Sequence, residues 1–317
     1  MSSLCGNDPA LSVVIATKNR DQALQKISLP SLLCQDEGNF EVLVWDASDS
    51  SRSREVVCGF EGSFADRGIP LRFVSAPRSG LVSQRNDALK EAGGEIVFFI
   101  DDDSEVSPDG LRSLRECFAA YPEIMGGGLR VEDLSCRPKS DRRHTLRDSL
   151  YRLFRYRRRR KVSFAGSAKG LSAPSGAAEW LSGCSMAFRR AVFDDLSFNE
   201  KLEAFGPYAL AEDVEFSHRV FLFYGKPLMV PEKGCVIHHA VAGERVAGTE
   251  KKAAMVFYNR YLLMLAASRN HPFAGHFLFL WTVLRIWVKL SRSFGFSVAY
   301  RGLQMALKQV LKDTPSA

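Results

Sequence analysis

The sequence predicts an α/β fold, in which a mostly parallel sheet is flanked by helices and followed by a helical C-terminal extension. Two observations carry this prediction. Over residues 11–120, short apolar runs rich in β-branched residues alternate with segments whose apolar residues recur at helical spacing. From about residue 250, helical spacing continues to near the end. Strands that alternate with helices favour parallel pairing, because each helix crosses over one face of the sheet.

Four buried strands are predicted in the first part of the chain, with helices between them. The strands are expected at LSVVIATKNR (11–20), FEVLVWDASDS (40–50), LRFVSAP (71–77) and EIVFFIDDD (95–103). Helices are expected at 21–36, where Pro30 perturbs the pattern, at 82–94, where two glycines end it, at about 109–120 and at 209–225. Residues 226–241 are expected to form one or two short strands that end in His238 and His239.

Composition bounds the class of protein. The chain has 317 residues and is 46% hydrophobic, which is enough for a large core. Its seven scattered cysteines argue against a disulfide framework and a zinc site. No run of eighteen uncharged apolar residues and no secretory signal pattern occurs, so we expect a cytoplasmic protein. The net charge of +7 comes from one segment, 141–161, which holds ten Lys and Arg against two Asp.

Polar residues follow three of the predicted strands. Thr17 and Arg20 follow the first, Asp46 the second, and the run Asp101–Asp103 the fourth. Ligands of parallel sheets bind outside the carboxyl ends of the strands, so these groups are expected to line one pocket. Three adjacent carboxylates repel one another and need positive charge nearby. Since Mg²⁺ and Mn²⁺ prefer oxygen ligands and often bind phosphates as well, the pattern indicates a divalent cation and a nucleoside diphosphate.

Five ordered motifs give the chain a family resemblance over residues 10–240. They are VVIATKNR, VLVWDASDS, GLVSQRNDALKEAGGEIVFFIDDD, WLSGCSMAFRR and AEDVEFSHRV. In this order and spacing they resemble the family-2 inverting glycosyltransferases of the GT-A (Rossmann-like) type, which use nucleotide-diphosphate sugars. The resemblance implies a glycosyltransferase domain at 1–245, with a donor half at about 10–130 and an acceptor half at about 165–245. Residues 246–317 would then form the helical extension.

The resemblance also implies a role for each matching residue. The metal, Mg²⁺ or Mn²⁺, would be held by Asp103 and His238, and the catalytic base would be Asp213 beside Glu212. The acceptor region would include Trp180, Gly183 and Cys184. Ala16 and Lys18 stand where the family more usually has proline and tyrosine, which leaves the base of a UDP or dTDP donor open. The nucleotide sugar would be bound by Ala16, Thr17, Arg20, Asp46, Ser48, Arg85, Asn86, Asp101 and Asp102.

Each role has a structural alternative. Asp213 can be a first-turn acid that stabilises the helix dipole. His238 and His239 can be a solvent-facing strand end. Arg85 can pair with Asp87 or Glu91 on its own helix, and Asp46 can stabilise a turn.

Two other functions remain open. One is a sugar-1-phosphate nucleotidylyltransferase, although ATKNRDQ lacks the glycine-rich loop that such an enzyme needs after its first strand. The other is a non-catalytic membrane or nucleic-acid adaptor built on the same sheet.

Two segments predict contact with a membrane. In 141–161, Leu146, Leu150, Leu153 and Phe154 share one helical face among arginines, as in helices that lie on anionic lipid. The apolar run at 277–290 is too short to span a bilayer and contains Arg285 and Lys289. We therefore expect a peripheral protein at the inner face of the cell membrane, with a lipid-linked or glycan acceptor and no nucleic-acid partner. A buried or homodimer-forming C-terminal helix is the alternative.

Overall fold

The structure is a computed structural model that describes residues 9–133, 161–169, 175–241 and 249–313. Its central sheet has eight strands in the order β10-β12-β6-β11-β4-β1-β2-β3. The strands of the described residues are β1 (Leu11–Thr17), β2 (Phe40–Asp46), β3 (Leu71–Ser75), β4 (Ile96–Ile100), β5 (Ser104–Val106), β6 (Gly126–Gly127), β7 (Arg130–Asp133), β8 (Lys161–Val162), β9 (Ala168–Lys169), β10 (Gly176–Ala178), β11 (Met186–Arg189), β12 (Leu228–Val230) and β13 (Cys235–His238).

The parallel half of the sheet confirms the α/β prediction. Strands β4, β1, β2 and β3 are parallel neighbours, and Thr17 pairs in register with Asp46. Side chains alternate between two cores because successive residues of a strand point to opposite faces. Val14 lies in one core, whereas Val13 and Ile15 lie in the other. The polar strand ends therefore meet at one edge of the sheet.

The second half of the sheet was not predicted as strands, except β12. Strand β11 is antiparallel to both β4 and β6, and β12 is parallel to β6. Strand β6 consists of glycines, and a Cβ at Gly126 would lie 2.8 Å from the side chains of Leu228 and Phe188. The glycine therefore allows close packing that any larger residue would disturb. Strands from the predicted donor half and from the predicted acceptor half pair in one sheet.

Helices cover the sheet and form the C-terminal extension. The first predicted helix has a π-helical turn, Leu24–Ser28, directly before the segment that contains Pro30. Helix α4 is shorter than the predicted 82–94 segment. In chain order the α-helices of the described residues are α1 (Asp21–Ala23), α2 (Leu29–Leu33), α3 (Arg52–Ala65), α4 (Leu81–Ala88), α5 (Gly110–Ala120), α6 (Val192–Asp195), α7 (Glu212–Tyr224), α8 (Thr249–Ala267), α9 (Pro272–Phe294) and α10 (Phe296–Asp313).

A small second sheet positions the late histidines. Strand β13 lies between β5 and β7, antiparallel to β5 and parallel to β7. In this register His238 pairs with Ser104, the residue after the acidic run. The tertiary pairing therefore brings a histidine from late in the chain to Asp101–Asp103.

The C-terminal helices pack on the domain and on each other. Helix α8 buries Ala253, Phe257 and Tyr258 in the same core as Val14. Among the described helices, α9 alone is long and apolar enough to cross a membrane by length and composition. It has 23 residues, so the helix extends beyond the apolar run 277–290 on which the expectation of a segment too short to span was based. The predicted amphipathic segment at 141–161 lies outside the described residues except for Lys161, the first residue of β8.

Candidate active site

The acidic run turns its three carboxylates in two directions. Asp102 is buried: its Oδ2 accepts a 2.6 Å hydrogen bond from the Thr17 hydroxyl, and its Oδ1 lies 2.9 Å from Arg20 Nε. Burial raises the pKa of Asp102 to about 7, although Arg20 opposes the shift. Asp101 and Asp103 both turn toward His238. The middle carboxylate, Asp102, therefore holds the end of β1 to the acidic run, and the outer two, Asp101 and Asp103, both lie near His238 Nε2.

Asp101, Asp103 and His238 form a cluster with the chemistry of a cation site. One ligand atom from each lies within 4.8 Å of the others. His238 Nε2 is 3.3 Å from Asp103 Oδ1 and 3.9 Å from Asp101 Oδ2. Although burial alone would raise it, the pKa of Asp103 is lowered to about 2 by His238 and Arg20. Two carboxylates and one imidazole that face one another suit Mg²⁺ or Mn²⁺. The cluster adds Asp101 to the predicted pair of metal ligands.

The two adjacent histidines have different surroundings. His238 faces the acidic cluster, whereas His239 Nε2 is 2.7 Å from Glu105 Oε2. The backbone N–H of His239 donates to the carbonyl of Asp103, which fixes the two segments together. Within a strand, neighbouring side chains point to opposite faces, so only one of the pair can face the cluster. The structure places His238 there.

The predicted base lies at the start of α7. Asp213 Oδ2 accepts a 2.8 Å hydrogen bond from the N–H of Gly183, and its Oδ1 accepts one from Val214. A Cβ at Gly183 would lie 3.0 Å from Glu212 Oε1 and 3.3 Å from the Asp213 Cβ, so any side chain here would make Glu212 or Asp213 shift by a few tenths of an ångström. Burial raises the pKa of Asp213 although these backbone hydrogen bonds oppose it. The carboxylate is thus oriented by backbone and suited to accept a proton.

Arg85 joins the acidic cluster to the base. Its side chain is only 1% exposed. Nη1 donates to Glu212 Oε1 at 3.0 Å, and Nη2 donates to Asp101 Oδ1 at 3.3 Å and to the carbonyl of Gly183 at 3.1 Å. Burial and the neighbouring Asp213 raise the pKa of Glu212 to about 8, against the opposing effect of Arg85. Neither Asp87 nor Glu91, the alternative partners on its own helix, is among the ion-pair partners of Arg85. Asp87 pairs with Arg78 and Lys90 instead.

The predicted nucleobase side of the site lies at the ends of β1 and β2. Asp46 is buried, and its Oδ1 accepts hydrogen bonds from the backbone and hydroxyl of Ser48. Burial raises the pKa of Asp46, against these hydrogen bonds. The N–H of Asn19 donates to the Ser48 hydroxyl at 2.7 Å, and Ala16 lies half-buried on β1. This part of the site is joined to the acidic run through Thr17.

Three further predicted site residues have side chains that contact other parts of the protein. Asn86 exchanges hydrogen bonds with the backbone of Phe198, its Oδ1 accepting and its Nδ2 donating, each at 3.0 Å. Trp180 is buried in a cluster with Val214 and Leu263. Cys184 is buried beside Ser182. Of the predicted acceptor region, Gly183 donates its backbone N–H to the predicted base, Asp213.

Two contributions to the site were not assigned from the sequence. Gln84 is buried and donates to the carbonyls of Thr17 and Trp45, which holds the ends of β1 and β2 together. Arg260 of α8 is half-buried and donates to the carbonyl of Gly166 at 2.6 Å. Burial lowers the pKa of Arg260, and the nearby Asp213 carboxylate opposes this. Gln84 is 67 positions from Thr17 and Arg260 is 94 positions from Gly166, so local spacing carries no signal for either contact.

Comparisons with known proteins agree with this geometry. A profile of the family described as "Glycosyl transferase family 2" matches residues 12–196, more than half of the chain. A relative from Campylobacter jejuni, GalNAc(5)-diNAcBac-PP-undecaprenol beta-1,3-glucosyltransferase, is 30% identical over 122 residues, which are 38% of each protein. The match thus spans well under half of that relative's length.

Solved structures with the same fold cover nearly the whole chain. Staphylococcus aureus TarS 1-349 in complex with UDP-GlcNAc has a TM-score of 0.59 at 18% identity, over 95% of this chain and 81% of that one. The mannosyltransferase PcManGT from Pyrobaculum calidifontis, in complex with GDP-Man and Mn²⁺, has a TM-score of 0.55 at 17% identity, over 97% and 88%. At these identities the likeness establishes the fold.

Proposed function

The chain belongs to glycosyl transferase family 2, and from this membership we propose that it moves one sugar, with inversion, from a nucleoside-diphosphate donor to an acceptor hydroxyl. The observation that carries the proposal is the ion-pair chain from Asp101 through Arg85 to Glu212. It links the proposed cation-binding cluster to Glu212, the residue next to Asp213 in the first turn of α7. Inverting transfer needs leaving-group stabilisation and a base on opposite sides of the reacting carbon.

The donor is a UDP- or dTDP-sugar in this proposal. Ala16, Thr17, Asp46 and Ser48 lie at adjacent strand ends, and a nucleoside can bind beyond the carboxyl ends of β1 and β2. Arg20 contacts Asp102 and Asp103, beside the expected position of the diphosphate. Supporting precedents are two proteins of the same fold that were solved with UDP-GlcNAc and with GDP-Man.

Asp101, Asp103 and His238 would hold a divalent cation, Mg²⁺ or Mn²⁺. When bound, the cation neutralises negative charge on the departing diphosphate. Arg20, at 2.5 Å from Asp103 Oδ2, keeps the other oxygen of that carboxylate occupied and fixes its orientation. The Arg85 side chain is too deeply buried to bind the nucleotide sugar directly, and we assign it the role of positioning Asp101 and Glu212.

Asp213 would take the proton from the acceptor hydroxyl. The acceptor oxygen bonds to the anomeric carbon as the bond from that carbon to the diphosphate oxygen breaks, and the proton passes to an Asp213 carboxylate oxygen. The N–H groups of Gly183 and Val214 hold that carboxylate in place. Glu212, held by Arg85, fixes the first turn of α7 on which Asp213 lies.

The acceptor proposed here is a lipid-linked or polysaccharide glycan at the inner face of the cell membrane. The name of the Campylobacter jejuni relative describes an acceptor linked to PP-undecaprenol. The strongly basic segment 141–161 suits an anionic surface or a lipid diphosphate. The family membership favours this function over a nucleotidylyltransferase or a non-catalytic adaptor.

A nucleotide-sugar panel tests the proposal. Each sugar nucleotide is incubated with Mn²⁺ or Mg²⁺, and binding and slow donor hydrolysis are measured by thermal shift and chromatography. We expect Asp103→Asn to abolish the metal-dependent thermal shift, whereas Asp213→Asn keeps the shift and lowers donor hydrolysis, in which water takes the place of the acceptor, by at least about a hundredfold. Asp102→Asn is the matched control, because this neighbouring carboxylate faces Thr17 and Arg20, away from His238. Equal loss of the metal-dependent thermal shift in Asp102→Asn and Asp103→Asn would contradict the proposed cation site. Donor hydrolysis retained by Asp213→Asn would contradict its role as the base.

A further inference from the structure

Helix α9 carries an apolar stripe that faces away from the protein. Phe273, Phe277 and Trp281 are 92%, 75% and 62% exposed, and Leu280 and Leu284 are also exposed. These positions recur every three or four residues, so they share one face of the helix. Large apolar side chains grouped in this way mark a surface that binds another molecule.

The opposite face of α9 fixes the stripe in place. Val283, Ile286 and Trp287 pack against the main core, and Leu290 is buried in it. At Gly275 an added Cβ would lie 2.2 Å from the Ser268 hydroxyl, so α9 approaches the end of α8 closely. The helix is therefore held by protein along one side, and the exposed stripe is a permanent feature of the fold.

The charge of α9 has a single sign. Arg285, Lys289 and Arg292 lie in its second half, and no acidic residue occurs between 272 and 294. Arg285 and Lys289 are exposed beside the last residues of the stripe. An apolar face flanked by cations complements the interface of an anionic bilayer, where apolar side chains enter the acyl region and cations meet lipid phosphates.

The stripe is continuous with the acceptor side of the site. At its first end, the ring of His271 lies 5.2 Å from that of Phe164, in the turn between β8 and β9. Gly166 of the same turn accepts the hydrogen bond from Arg260, whose guanidinium lies near Asp213. One short hairpin thus separates the stripe from the proposed base.

We propose that the stripe of α9 (Phe273, Phe277, Leu280, Trp281 and Leu284) docks this enzyme on an anionic bilayer, with the helix lying in the interface. Docking in this orientation brings the hairpin 161–169 and the acceptor side of the cleft to the lipid surface. This part of the inference rests on the proposed function, whereas the docking itself does not. Helix α9 lies in the interface instead of crossing the bilayer, because its other side is packed on α8 and α10.

Tryptophan fluorescence tests this directly, because Trp281 is the exposed tryptophan. Trp45 and Trp180 are buried, and Trp287 is half-buried. The full chain is mixed with phosphatidylcholine and phosphatidylglycerol vesicles, in roughly a 3:1 ratio, with and without brominated acyl chains. With these vesicles we expect the tryptophan emission to shift to shorter wavelength and to be quenched by the brominated chains, and both effects should be weaker with pure phosphatidylcholine. Trp281→Phe, which keeps the stripe apolar, should lose most of the quenching.

Co-sedimentation with the same vesicles measures affinity. Phe277→Ser should weaken binding about tenfold, since it removes one inserted aromatic ring. Phe223→Ser on α7 is the matched control, because Phe223 is 53% exposed but lies outside the stripe, and its binding should equal that of the native chain. Both positions are exposed, so both variants are expected to fold.

Three results would overturn the docking. Binding without quenching of Trp281 would place the contact elsewhere, for example on the basic segment 141–161. A dimer that Phe277→Ser converts to a monomer, without lipid binding, would show that a second copy covers the stripe. Resistance to extraction by alkaline carbonate would show a spanning helix. Donor hydrolysis measured without vesicles is independent of all three, so it separates failure of the docking from failure of the proposed chemistry.

Discussion

Replacing Arg85 with methionine should destabilise the protein strongly and remove the link between Asp101 and Glu212. The side chain is 1% exposed and pairs with Glu212 and Asp101. Methionine fills a similar length but leaves the buried Glu212 carboxylate without its partner. Removing one member of a buried ion pair costs about 3–5 kcal/mol of unfolding free energy. For a chain of this size, about 2 °C per kcal/mol is expected, so the melting temperature should fall by roughly 6–10 °C.

The assay is thermal unfolding at pH 9, where Glu212, with a pKa of about 8, is ionised. Arg72→Met is the matched control, because Arg72 also bridges two carboxylates, Glu41 and Glu91, but is 40% exposed. Glu91 is exposed, and Glu41, although only 7% exposed, keeps hydrogen bonds from the Ser12 hydroxyl and the N–H of Gly93, so this control should shift clearly less than Arg85→Met. Adding Glu212→Met to Arg85→Met should recover much of the loss, because no unpaired ion then remains buried. Equal shifts for Arg85→Met and Arg72→Met would refute the reasoning.

Two further predictions concern the first turn of α7. Gly183→Ala should lower transfer by about tenfold or more while donor binding stays near the native value, because its Cβ would lie 3.0 Å from Glu212 Oε1 and 3.3 Å from the Asp213 Cβ and would shift the proposed base. Unchanged transfer kinetics would contradict the role of this contact in positioning Asp213. Glu212 titrates near 4.5 in the unfolded chain and at about 8 in the fold, so its contribution to stability is present below pH 4.5 and is lost as pH rises to about 8. Melting temperatures between pH 6 and 9 should therefore fall less in Glu212→Gln than in the native chain, and parallel curves would show that Glu212 is not the group responsible.

Local sequence was sufficient for the first half of the fold and for the family. Each of β1, β2, β3 and β4 overlaps its predicted segment, because buried parallel strands are short runs of apolar residues with polar exits. The α/β class and the membership of glycosyl transferase family 2 are both confirmed. Strands β6, β10 and β11 were not anticipated, since two to four residues paired with distant partners carry no periodicity of their own.

The individual roles of the site residues stay predictions, and the structure sharpens where they lie. His238 faces Asp103 and His239 faces Glu105, a choice that depends on the register of β13 against β5. Arg85 lies between two carboxylates that are distant in sequence, instead of pairing within its own helix. Asn86, one residue further along, turns to the backbone of Phe198.

The sequence by itself determined which residue types stand at the strand ends, because each apolar run and the polar residues that follow it are adjacent in the chain. It could therefore indicate a cation, a diphosphate donor and a carboxylate base. Only the tertiary structure decided which of these groups meet: Asp101 reaches Glu212 through Arg85, and α9 turns its apolar stripe outward. Those outcomes depend on strand register and helix packing, which set distances of a few ångströms between residues more than a hundred positions apart, and no local pattern encodes such distances.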